Sequence, residues 1–189
     1  MKILGIANAE TASACLSIDG VIVSAVSEER FSRKKMDSDF PLQSIEYVLE
    51  DSSLTLSDID YVGYGWKKGF SEKNHLNIYI NRMVEETRLN PKGAEILKER
   101  VDVEIKQDEI KKKVFRDWVQ QNQLQSKVMY FNHHECHAIS AFACSPFNES
   151  LVITSDARGD FESMQVGYFN NNKYDVLYRC PTFDSLGFF

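Results

Sequence analysis

Lys2-Ile3-Leu4-Gly5-Ile6-Ala7, then Ala14-Cys15-Leu16-Ser17-Ile18, Asp19-Gly20 and Val21-Ile22-Val23-Ser24-Ala25-Val26-Ser27, decide the fold. The first run reads as a buried strand. The next two read as strands joined by a tight turn, because Asp-Gly supplies the left-handed backbone that a two-residue hairpin needs. Pro41 then opens a helix to about Glu50, with Ile45, Val48 and Leu49 on its apolar face. Tyr61-Val62-Gly63-Tyr64-Gly65-Trp66 reads as a fourth strand. Three strands with tight early connections, followed by helices, predict an α/β fold with a mixed sheet.

Beyond it, residues 70–125 read as a helical insert. Apolar positions recur at helical spacing over Glu72–Arg88, and again over Glu104–Gln121 with Ile110, Val114 and Trp118 on one stripe. Lys111-Lys112-Lys113 reads as a solvated face of that helix. Lys127–Phe131 is the next expected strand, and a short helix from His133 or Glu135 to Cys144 ends at Ser145-Pro146. Leu151–Ser155, Ser163–Phe169 and Tyr174–Arg179 read as strands, the last two joined by Asn170-Asn171-Asn172.

The composition excludes several classes. At 189 residues with 43% hydrophobic and 26% charged residues, the chain can form a packed core. A net charge of -6 argues against a general nucleic-acid binder, which presents a basic surface. No apolar run approaches the roughly 18 residues of a membrane span, and the short N-terminal run meets Glu10. A cytoplasmic location is therefore expected. Cys15, Cys136, Cys144 and Cys180 form no CxxC pair and are read as reduced thiols, mostly buried. The terminal Phe188-Phe189 leaves apolar surface that a longer polypeptide or a docking partner would cover.

Three residues carry the clearest chemistry. His133 and His137 are one helical turn apart, so both imidazoles fall on one face. Asp156 closes the next strand, at the sheet edge where α/β proteins place their sites. Two histidines and a carboxylate suit a divalent metal: iron, zinc or manganese. His134-Glu135 is followed by histidine at 137 and not 138, so the metalloprotease helix motif fails on spacing. His134 is expected beside the ligands or exposed. Asp156-Ala157-Arg158-Gly159-Asp160 pairs an acidic strand end with a turn glycine, as phosphate and metal sites do. Glu28-Glu29-Arg30-Phe31-Ser32-Arg33-Lys34-Lys35 reads as self-paired surface charge, or as phosphate contacts through Arg30, Arg33 or Lys34.

Together these residues resemble a known family. Leu4-Gly5-Ile6, Ala12-Ser13-Ala14-Cys15-Leu16, the Ser27–Lys35 run, Gly63-Tyr64-Gly65-Trp66, His133-His134-Glu135-Cys136-His137-Ala138, Ser145-Pro146-Phe147 and Ser185-Leu186-Gly187-Phe188-Phe189 are similar to the O-carbamoyltransferases that modify nodulation factors and antibiotics. The resemblance implies an actin/ribonuclease-H-like fold, of which this chain is the N-terminal lobe. The other lobe and an adenylate-forming domain would lie outside it. It implies that carbamoyl phosphate and ATP yield carbamoyl-adenylate, whose carbamoyl group passes to an acceptor hydroxyl. It implies His133, His137 and Asp156 as metal ligands, with a further aspartate beyond Phe189. Glu10 and Thr11 stand where the family has a His-Asp or His-Asn pair whose histidine is implied in transfer, and Glu10 is the expected base in its place. Ala157 replaces a family glycine, and Asp160 a glutamate. The competing expectation is a non-catalytic binding or assembly module with a degenerate site. An actin-like sugar or acetate kinase ranks last, because Asn8-Ala9-Glu10-Thr11 offers no glycine for phosphate and places a negative charge there. The insert is expected to support self-association as a homodimer, or lobe contacts.

Overall fold

The computed structural model describes residues 1–67, 81–82, 85, 90–171 and 173–185. The helix expected over Glu72–Arg88 and the C-terminal Leu186–Phe189 lie outside the described residues, Asn81, Arg82 and Glu85 excepted. Two compact units result: Met1–Gly65 with Ile110–Tyr130, and Trp66–Glu109 with Phe131–Phe189.

The first unit is built on a five-stranded sheet. Strands β1 (Lys2–Ala7), β2 (Ser13–Ile18), β3 (Val21–Ser27), β4 (Tyr61–Tyr64) and β5 (Val128–Tyr130) lie in the order β3-β2-β1-β4-β5. Only β2 runs against the others: it is antiparallel to β1 and β3, while β1, β4 and β5 are parallel. This is the ribonuclease-H-type arrangement within a mixed α/β fold. The β2–β3 hairpin turns where Asp19 (φ 49°) and Gly20 (φ 86°) take left-handed backbone.

A short helix α1 (Glu29–Ser32) follows β3, and α2 (Leu42–Asp51) packs Ile45, Val48 and Leu49 inward. The start of α2 is held from a distance. The buried carboxylate of Glu28 accepts from Ser44 N–H (2.8 Å), Ser44 Oγ–H (2.6 Å), Gln43 N–H (3.2 Å) and the Gln43 amide (3.1 Å). Those backbone donors would otherwise lack partners in the first turn.

Helix α3 runs from Pro91 to Gln121. Its expected stripe is only partly the buried one. Ile110 and Val114 are exposed, whereas Phe115, Trp118 and Val119 are buried. Phe115 stacks on Tyr64 at 4.0 Å between ring centroids, with Phe40 beside Phe115 and Trp118. The last turns of α3 therefore belong to the core of the first unit.

In the second unit, α4 (His133–Ala143) packs against an antiparallel meander of β6 (Glu149–Gly159), β7 (Glu162–Asn170) and β8 (Lys173–Pro181). All three strands extend beyond the apolar runs that predict them. Phe142 of α4 stacks on Phe169 of β7 at 4.1 Å, fixing the helix against the sheet. Pairing of β6 with β7 shifts between Ser155 and Gly159. Such irregularities re-aim side chains at strand ends, and Asp156 lies within this one.

Among the described residues, no helix is long and apolar enough to cross a membrane. The four cysteines are unbonded, and only Cys180 is fully buried; Cys144 is exposed.

Candidate metal centre

Helix α4 begins at His133 because Asn132 caps it: the Asn132 side chain accepts Glu135 N–H at 3.0 Å. The His133 N–H donates to Asp160 Oδ2 at 2.9 Å. The helical period then stacks His137 over His133.

Their Nε2 atoms approach to 2.9 Å. Asp156 Oδ2 lies 3.2 Å from His133 Nε2 and 3.7 Å from His137 Nε2. The other oxygen, Asp156 Oδ1, accepts Ala157 N–H at 2.7 Å, which leaves Oδ2 to face the imidazoles. Among the described residues these three side chains form the one histidine–carboxylate group able to share an ion.

The donor set fits a metal. A circle through the three donor atoms has a radius of about 1.9 Å, close to the roughly 2.0–2.2 Å bonds that zinc makes to histidine nitrogen and carboxylate oxygen. Burial, and then the neighbouring His137, lower the pKa of His133, against the pull of Asp156. That favours the neutral imidazole, the form that ligates metal. The group opens outward: the His133 side chain is 14% exposed, Asp156 40% and His137 53%.

His134 is fully buried, its ring 5.9 Å from that of His133 and 6.4 Å from that of His137. Its Nε2 lies 3.0 Å from the Glu162 carbonyl and its Nδ1 2.8 Å from Thr154 Oγ1. A carbonyl only accepts, so Nε2 carries the proton; the one Thr154 hydroxyl proton faces both Nδ1 at 2.8 Å and the Gln165 carbonyl at 3.4 Å. Of the two expectations for His134, exposure is corrected by its full burial, while its place beside His133 and His137 holds; it also pins α4 to β6 and β7.

Three further residues were not foreseen. The Trp66 ring lies 4.3 Å from that of His133. Arg179 bridges α4 to the sheet through Glu135 (2.9 Å) and Glu162 (2.5 Å). Ser185 Oγ donates to the Ala157 carbonyl at 2.7 Å, steadying the strand that carries Asp156. No local pattern announces any of them, since each acts across elements distant in sequence.

The other expected site residues belong to the first unit. Glu10 is exposed in the β1–β2 connection. Arg30 pairs with Glu29 at 3.1 Å. Lys34 pairs with Asp37 at 3.4 Å and Asp39 at 3.3 Å, which raises its pKa. Arg33 is exposed and takes left-handed backbone at the end of α1 (φ 59°).

The family model of the carbamoyltransferase N-terminus matches residues 2–189. The chain belongs to the carbamoyltransferase N-terminal family. It is 31% identical over 177 residues to Nodulation protein NolNO of Sinorhizobium fredii, covering 93% of this chain and 23% of that protein. It is 32% identical over 191 residues to an uncharacterized protein of Synechocystis, covering 98% of this chain and 30% of the other. The chain thus spans under a third of these relatives. Among solved structures it is similar to YeaZ from Pseudomonas aeruginosa, with a TM-score of 0.45, 14% identity, and 96% and 68% of the two chains covered.

Proposed function

We propose that this carbamoyltransferase-family chain contributes a metal centre to carbamoyl transfer from carbamoyl-adenylate onto an acceptor hydroxyl. The observation that carries the reading is the convergence of His133 Nε2, His137 Nε2 and Asp156 Oδ2. Three protein ligands leave coordination positions open, as catalytic sites do.

In the transfer, the acceptor oxygen forms a bond to the carbamoyl carbon, the bond from that carbon to the adenylate phosphate oxygen breaks, and AMP departs. The hydroxyl proton goes to a base, for which Glu10 is the proposed group. A divalent metal held by His133, His137 and Asp156 would supply Lewis-acid polarisation and neutralise phosphate charge. Iron is the first choice, with zinc or manganese compatible. Arg33 is the most available of the proposed phosphate contacts; Arg30 and Lys34 would each exchange a carboxylate partner for phosphate. Carbamoyl-adenylate itself would form from carbamoyl phosphate and ATP on an adenylate-forming domain, in a longer polypeptide that also supplies the remaining lobe. The setting proposed for this chemistry is the cytoplasm.

The experiment follows carbamoyl phosphate turnover with ATP and an acceptor alcohol. The purified 189-residue chain gives no multiple turnover, while a polypeptide that adds the remaining lobe and the adenylate-forming domain does. In the latter, His137→Ala lowers the rate about 100-fold or more. Multiple turnover by the short chain contradicts the domain assignment. An unchanged rate in the His137 variant contradicts the site.

A further inference from the structure

We propose that Gly159 and Asp160 are positioning residues for His133, so that the turn after β6 presets the distance between His133 and Asp156; this rests on reading the three side chains as a metal centre. Two separate contacts carry it. Asp160 is 2% exposed, and its Oδ2 accepts the His133 N–H at 2.9 Å, so it holds the backbone of the ligand. Gly159 holds the ring. A Cβ on Gly159 would stand 2.2 Å from His133 Cδ2 and 2.7 Å from Cγ, distances that real atoms do not tolerate.

The third ligand lies in the last residues of β6, just before this turn. Pairing between β6 and β7 lapses after Ser155 and resumes at Gly159 opposite Glu162. Asp156 lies in the lapse, with its backbone carbonyl and that of Ala157 facing Ser185 Oγ. Asp160 takes left-handed backbone at φ 55°, which brings its carboxylate back toward α4. His133 is thus gripped at the main chain by Asp160 and at the ring by Gly159, four residues and fewer from Asp156. The outer partners of a ligand fix its orientation and commonly change metal affinity by about 10–100-fold when lost.

The test compares this chain with four variants: Gly159→Ala, Asp160→Ala, Asp160→Asn and Gly167→Ala. Gly167→Ala is the control, because a Cβ there meets the Tyr174 ring at 2.1 Å, an equal clash with a residue that is not a ligand. Cobalt(II) is titrated and its visible bands recorded, and the His133 ring resonances are followed in metal-free protein. Gly159→Ala and Asp160→Ala are expected to weaken cobalt binding about 10–100-fold and to shift the His133 resonances. Asp160→Asn keeps an acceptor oxygen and restores both, and Gly167→Ala behaves as the parent. Should Gly159→Ala not fold, the Asp160 pair carries the comparison. Parent-like affinity and His133 resonances in Gly159→Ala and Asp160→Ala overturn the inference. Absence of cobalt uptake by the parent overturns the metal reading instead, and the metal-free resonances still decide whether the turn sets His133.

Discussion

At the residue scale, His134 and His137 separate stability from metal binding. His134 is buried with both ring nitrogens bonded, whereas the His137 side chain is 53% exposed. Replacing His134 by Ala opens a cavity and removes one partner from each of the Thr154 hydroxyl and the Glu162 carbonyl. A loss of about 2–4 kcal/mol is expected by chemical denaturation, with metal affinity within about threefold of the parent under conditions where the variant is folded. His137→Ala does the reverse: stability changes by about 0.5 kcal/mol or less, and calorimetry shows most metal binding gone. Equal effects of the two substitutions on affinity would show that the wrong histidine has been assigned. The convergence of His133 and His137 is legible in the sequence because a four-residue spacing on a helix places both side chains on one face. The partners of His134, and the grip of Asp160 on His133, are not, because they depend on which strands α4 meets.

At the scale of elements, the beginning of α2 and the end of α3 are held by different physics. Four donors converge on Glu28, two of them from the backbone of α2. Glu28→Ala removes the acceptor from buried donors and is expected to cost about 2–3 kcal/mol, with Glu28→Gln costing less. Thermal unfolding of the two variants checks this. Read as sequence, Glu28 is one charge in an alternating run; its role appears only when β3 delivers it beside Ser44. Helix α3 teaches a related lesson. Periodicity finds the helix but cannot choose between two apolar stripes that share Trp118. Phe115 decides it, because its ring stacks on Tyr64 in the sheet. Phe115→Ala is expected to cost about 3–5 kcal/mol, and Ile110→Ala, at an exposed position, about 0.5 kcal/mol or less.

At the scale of the whole molecule, the chain divides into two compact units, and His133, His137 and Asp156 all lie in one of them. The mixed character of the sheet in the first unit is legible from its early hairpin; the strand order β3-β2-β1-β4-β5 is set by long-range pairing that no local pattern announces. The length of β6 is not legible either, because the polar Ser155-Asp156-Ala157-Arg158 stretch looks like a loop until its hydrogen bonds are seen. Ile96, Val103 and Ile110 stand exposed at seven-residue intervals on α3, a row compatible with the self-association expected of the insert. Sedimentation of the chain and of Ile110→Glu tests it: a dimer that dissociates in the variant is expected, and identical sedimentation contradicts it.

The central claim is that His133, His137 and Asp156 form one metal centre, and cobalt(II) titration of the metal-free chain tests it most directly. The account predicts uptake of one ion per chain with visible ligand-field bands. Those bands are lost in His133→Ala and His137→Ala, weakened in Asp156→Ala and retained in His134→Ala. No uptake, or uptake that survives loss of both His133 and His137, would contradict it.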